Sequence, residues 1–168
     1  SNVQIATVSA TGLVTAVGNG SVVITVAALD GSGVTAQKTL NISGVTSFPP
    51  GTVVQTSQQL LSAIATATAG QIIYVRSGDY IFNTTIHITG NGSNGNFISI
   101  LPYPTDTARP RFNFSSMSET SSNRGIELSG DYWHIKGIDV FAAGDNGMHI
   151  TGDNNLIEFC TFSENADS

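Results

Sequence analysis

The chain has 168 residues, 40% of them hydrophobic and only 11% charged, and its formal net charge is −6. That length fits one domain or two small ones, and the apolar content excludes wholesale disorder. Two lysines and four arginines cannot build a basic patch for nucleic acid or an anionic membrane surface, and no run of about 20 apolar residues is present to span a bilayer.

Residues 3–44 alternate in the manner of half-buried strands, readable at 5–8, 13–17, 21–28 and 34–42 between turn signals at Thr11-Gly12, Gly18-Asn19-Gly20 and Asp30-Gly31. Four strands in so short a stretch make a small sheet with too little apolar area for a comfortable core. The run "ATVSATGLVTAVGNGSVVITVAALDG" resembles the bacterial immunoglobulin-like group 2 domain in the order and spacing of its residues. The resemblance covers the second half of that domain, so residues 1–44 are expected to be a partial Ig-like β-sandwich whose first strands precede residue 1.

Residues 45–51, "VTSFPPG", read as a linker, because two prolines cannot continue a central strand. The one helical pattern follows, at 57–69. Thr56 or Ser57 caps it, Leu60, Leu61, Ile64 and Ala65 share a face, and Gly70 stops it. From Gln71 onward strands return, in "IIYVRSGDYIF", "TIHIT", "FISILPY" and "PRFNF".

The last 44 residues repeat with a period of 22. Gly125 falls on Gly147, Ile126 and Leu128 on Met148 and Ile150, Gly130-Asp131 on Gly152-Asp153, Ile135 on Ile157, Ile138 on Cys160, Val140 on Phe162 and Asp145 on Asp167. Apolar positions match apolar ones and turn residues match turn residues. One coil of a parallel β-helix has this form. It cannot bury its own inner face, so coils stack and like residues form ladders. The helix at 57–69 then covers the open edge of the first coil. The expected fold is all-β: the partial Ig-like sandwich, then the capping helix and first coils of a parallel β-helical solenoid over 52–168. The repeat predicts Gly as the residue encoded after Ser168.

The segments "AGQIIYVRSGDYIFNTTIHITGNGSNGNFISILPYP" and "RGIELSGDYWHIKGIDVFAAGDNGMHITGDNNLIEFCTFSENAD" resemble the start of the right-handed β-helix of family 9 polysaccharide lyases. The resemblance implies a secreted, calcium-dependent, pectate lyase-like parent acting on an acidic polysaccharide. Such an enzyme works by β-elimination, with calcium neutralising the uronate carboxylate and a lysine removing the adjacent proton. It also implies that the aspartate cluster and the lysine lie on later coils, so no catalytic residue is assigned in this chain.

The local candidates are few. Arg124, beside a turn, is a candidate to bind uronate carboxylates or a plain surface group. Tyr132 and Trp133 form a sugar-stacking platform or pack beneath a loop. Asp145 and Asp167 stack one coil apart, about 4.8 Å, near Glu164. The three are a candidate partial calcium site, with turn chemistry as the alternative. Lys136 should point outward, since Ile135 matches Ile157. His87, His134 and His149 lie on different strands with no metal-ligand spacing. The single Cys160 permits no intrachain disulfide and, among apolar neighbours, reads as a buried structural thiol. A non-catalytic cell-surface, carbohydrate-binding or adhesive protein is the alternative function, with head-to-tail self-association through the open end of the solenoid as a further possibility.

Overall fold

The computed structural model describes residues 2–45 and 48–166. It divides into two compact units, Ser1–Phe48 and Pro49–Ser168. Thr46 and Ser47 of the expected linker and Asp167 of the candidate calcium site lie outside the described residues.

In the first unit, β1 (Ala6–Val8) pairs antiparallel with β2 (Val14–Ala16), and β3 (Gly20–Ala27) pairs antiparallel with β4 (Thr35–Ile42). These bounds lie within a residue of those read from the alternation. The Asn19 side chain bonds both the N–H and the C=O of Val45, at 2.8 and 2.7 Å, which ties the start of the second hairpin to its end. Ala6 and Val22 are buried, whereas Leu13, Val26, Leu29 and Val34 are exposed. Two hairpins without a covering layer leave most apolar side chains in water.

The second unit opens with a short strand that the sequence pattern does not reveal, β5 (Thr52–Val54), ahead of α1 (Ser57–Thr66). Thr56 caps α1, its Oγ1 accepting from Gln59 N–H at 3.2 Å while Gln59 Oε1 accepts from Gln55 N–H at 2.8 Å. This reciprocal pair resembles a capping box shifted back by one residue. The helix ends at Thr66, short of the expected 69. Ala67 already has an extended backbone, and Gly70, at φ 83, turns the chain later. Leu60 and Ile64 are buried as expected; Ala65 is exposed instead, and Ala63 and Ala67 take the packed positions.

Eleven strands follow: β6 (Ile72–Val75), β7 (Gly78–Ile81), β8 (Ile86–Ile88), β9 (Ile98–Pro102), β10 (Pro110–Asn113), β11 (Ile126–Leu128), β12 (Trp133–Lys136), β13 (Asp139–Phe141), β14 (Met148–Ile150), β15 (Leu156–Glu158) and β16 (Thr161–Ser163). They visit three sheets in strict rotation. The first sheet runs β5-β6-β9-β12-β15, the second β7-β10-β13-β16 and the third β8-β11-β14, and every pairing is parallel. This is a parallel β-helix.

The 22-residue repeat sets the register of the last two coils. Ile126 pairs with Met148, Ile135 with Ile157 and Val140 with Phe162, as the sequence alignment requires. The interior is a stack of like residues. One ladder is Ile73–Ile100–Ile135–Ile157, another Tyr80–Phe112–Val140–Phe162, a third Ile86–Ile126–Met148. Leu60 and Ile64 of α1 join the same core, so the helix caps the first coil. Three corners of the last two coils also repeat. Tyr132 and Asn154, Gly137 and Phe159, Ala142 and Glu164 all adopt left-handed backbone angles, φ between 53 and 66.

Candidate functional site

The third sheet presents the densest set of ionisable side chains. On β8, β11 and β14 the period of two sends Ile86/Ile88, Ile126/Leu128 and Met148/Ile150 toward one face, and sets His87, Glu127 and His149 in register on the other. His149 Nδ1 lies 2.8 Å from Glu127 Oε1. Arg124, two residues before β11, reaches the other Glu127 oxygen with Nη1 at 3.2 Å. Its Nε is buried, has no hydrogen-bond partner and lies 3.7 Å from Asp145 Oδ2. Asp145, in the segment between β13 and β14, is only 5% exposed.

Arg124 therefore sits between two carboxylates of this protein. His149 first, and then the charge of Arg124, hold the Glu127 carboxyl below its usual range, with burial opposing them. The arrangement keeps Glu127 ionised and its charge matched. Arg124, the candidate for binding uronate carboxylates, has Glu127 and Asp145 within reach, and its Nε–H is buried without a hydrogen-bond acceptor.

Two of the three candidate calcium ligands, Asp145 and Glu164, lie within the described residues. Asp145 faces the Arg124 guanidinium, and Glu164 is exposed on a left-handed corner after β16. Among the described residues no group of three or more His, Cys, Asp or Glu is placed to hold a metal. Calcium takes six to eight oxygens, more than Asp145 and Glu164 alone can supply.

The aromatic pair is corrected in part. Trp133 is 0% exposed, with Nε1–H donating to Gly90 O at 2.7 Å and its backbone N–H to Asn155 Oδ1 at 2.8 Å. A ring enclosed in the core cannot stack on a sugar. Its wide apolar surface belongs inside, and the Gly90 carbonyl satisfies its one donor. Tyr132 is partly exposed and meets Phe97 edge-on, with centroids 5.8 Å apart. Arg124 and Tyr132 lie beyond opposite ends of β11.

The remaining cations of the second unit are also engaged. Arg111 grips Asp79 through two contacts, at 2.9 and 2.6 Å; Arg76 pairs with Asp106 at 2.9 Å and Arg109 with Asp139 at 3.2 Å. Lys136 points outward, as the Ile135 ladder requires, and its Nζ lies 3.5 Å from Glu158 Oε2, an oxygen that also lies 2.9 Å from His134 Nε2. Burial raises the Cys160 thiol above its ordinary range, in keeping with an unreactive group. The Glu127–His149 pair was visible in the repeat as an acid and a base 22 residues apart, but composition alone gave no reason to select it.

Stacked parallel coils, closed at one end by a helix, with apolar ladders filling the interior, place the second unit in the parallel β-helix class. A sequence model of the "Pel9A-like, right handed beta helix region" matches residues 42–168, and the chain belongs to that family. Pectate lyase L of Paenibacillus polymyxa (strain SC2) is 40% identical over 111 residues, which are 65% of this chain and 24% of that protein. Pectate lyase L of Dickeya chrysanthemi is 30% identical over 110 residues, 62% of this chain and 26% of that protein. The crystal structure of pectate lyase Pel9A superposes with a TM-score of 0.55 at 27% identity, covering 62% of this chain and 28% of that one. The chain thus spans about a quarter of the length of the curated relatives it matches.

Proposed function

We propose that this chain is part of an extracellular polysaccharide lyase that cleaves pectate or a related uronan by β-elimination, with calcium as cofactor. The observation that carries the reading is the family match over 42–168, on a chain whose relatives are named pectate lyases. In that reaction a base removes the proton beside the uronate carboxyl, the glycosidic C–O bond breaks, and a carbon–carbon double bond forms. In this reading none of the described residues 49–166 is assigned the part of that base. Lys136 is held beside Glu158, and Arg76, Arg109, Arg111 and Arg124 are ion-paired. In this reading the described coils supply the scaffold and its surface charge, and the 168-residue chain by itself does not cleave.

The same pairing of the five cations of residues 49–166 favours, as the second reading, a carbohydrate-binding surface protein without turnover. The Ig-like resemblance of residues 1–44 suits either an enzyme or a surface protein. Incubating the natural gene product that carries this chain with polygalacturonate and calcium separates the two. New unsaturated ends, followed by ultraviolet absorbance, support the lyase. Retention on the polymer with no unsaturated ends overturns it in favour of the second reading.

A further inference from the structure

Asparagine precedes glycine at four places in this chain, Asn19, Asn91, Asn94 and Asn146. The fold holds three of these junctions and leaves one open. The pairing matters chemically, because glycine has no side chain to keep its backbone nitrogen from closing on the asparagine amide carbon. Closure needs the side chain and the following peptide plane to turn together, so hydrogen bonds on either one slow it.

The held junctions are each fixed by two bonds. Asn19 Oδ1 accepts from Val45 N–H at 2.8 Å and its Nδ2 donates to Val45 O at 2.7 Å. Asn91 Oδ1 accepts from Asp131 N–H at 2.8 Å, and Gly92 N–H donates to Asp131 O at 2.9 Å. The Asn146 and Gly147 carbonyls accept from Gly125 and Ile126 N–H at 2.9 and 3.0 Å, and Gly147 is buried.

Asn94-Gly95 differs in each respect. It is the centre of a two-residue turn, closed by Ser93 N–H to Asn96 O at 3.1 Å and Asn96 N–H to Ser93 O at 2.8 Å. Both central residues are exposed, Gly95 has φ 79, and no atom lies within 4 Å of where a side-chain carbon on it would stand. Among the described residues nothing bonds the Asn94 side chain, the Asn94 carbonyl or the Gly95 N–H. The central peptide of such a turn can rotate without breaking the bonds that flank it. Its support is fixed, since Gly90 and Asn91 are bonded to Trp133 and Asp131.

We propose that Asn94 is a site of spontaneous deamidation. The Gly95 backbone nitrogen, after losing its proton to hydroxide, attacks Asn94 Cγ. The new N–Cγ bond closes a succinimide as the Cγ–Nδ2 bond breaks and ammonia leaves. Water then opens the ring at either carbonyl, giving aspartate or iso-aspartate. Either product adds a carboxylate to a chain whose net charge is already −6. Iso-aspartate also lengthens the main chain by one methylene between Ser93 and Asn96, so the two bonds that close the turn are lost while the Gly90 and Asn91 anchors stay.

The test keeps the folded chain at mildly alkaline pH and body temperature and maps its peptides over time by mass spectrometry. Deamidation is read as the mass gain of an amide-to-acid exchange, and iso-aspartate by a methyltransferase specific for that residue. A parallel sample in urea gives the rate of each junction in the unfolded chain. Asn94 should convert in the folded chain at close to its unfolded rate. It should outpace Asn19, Asn91 and Asn146 by about tenfold or more, the factor for two hydrogen bonds that must open first. Asn94→Gln should remove both signals from this peptide and leave the thermal midpoint at the wild-type value. Protection of Asn94 in the folded chain relative to urea overturns the proposal, as does conversion of any of the other three junctions as fast as Asn94 in the folded chain.

Discussion

Glu127 is the residue whose ionisation the fold uses most directly, because its two oxygens receive His149 and Arg124. Its carboxyl is held below the ordinary range, so the ionised group stabilises the fold above the unfolded value of about 4.3 and loses that contribution as pH falls through the lower, folded value. Replacing it by glutamine should lower stability near neutral pH by about 0.5–1 kcal/mol after solvent screening. The gap to the wild type, measured by urea unfolding, should close in acid. Trp133 gives a larger effect. Removing its buried ring in Trp133→Ala should cost about 3–5 kcal/mol, with Trp133→Phe losing less because the ring remains and the bond to Gly90 is what goes. The sequence left Trp133 between platform and packing. What decides is the depth of the Gly90 carbonyl, 43 residues away in sequence, which no local pattern encodes.

At the scale of elements, the turns and the cap carry the specificity. Gly130 and Gly152 occupy matching turns after β11 and β14. A side-chain carbon at Gly130 would collide with the Gly90 carbonyl oxygen, and one at Gly152 with the Gly130 carbonyl oxygen. Both approaches are backbone to backbone, so Gly130→Ala should destabilise the solenoid sharply, read as a lowered thermal midpoint. Thr56→Ala should cost about 1 kcal/mol by removing the cap of α1. The two coils of the 22-residue repeat were legible because no insertion interrupts them. The earlier coils hid the same architecture, since Ile86 reaches its partner Ile126 only after the long segments that contain β9 and β10. The left-handed corners were half legible. Gly137 and Asn154 announce themselves by residue type, while Tyr132, Ala142, Phe159 and Glu164 take the conformation because the coil closes there. β5 escaped notice because three residues after a proline pair carry no period.

For the whole second unit, the charges explain why fold and function separate. Apolar ladders fill the interior, and the five cations of residues 49–168 stand on the outside against carboxylates of the same chain. Residues 49–168 nonetheless hold eleven carboxylates to those five cations, so the unit is acidic as a whole. No helix among the described residues is long and apolar enough to cross a membrane. The resemblance to lyases was readable from the residues, whereas the contact that draws Asp145 toward Arg124 is one that spacing cannot show. The most direct measurement compares the natural gene product with the 168-residue chain on polygalacturonate, each with calcium and then with a chelator, following unsaturated ends by ultraviolet absorbance. The account predicts elimination by the gene product that stops on chelation and returns with calcium, and none from the 168-residue chain. Calcium-dependent elimination by the 168-residue chain alone would contradict it.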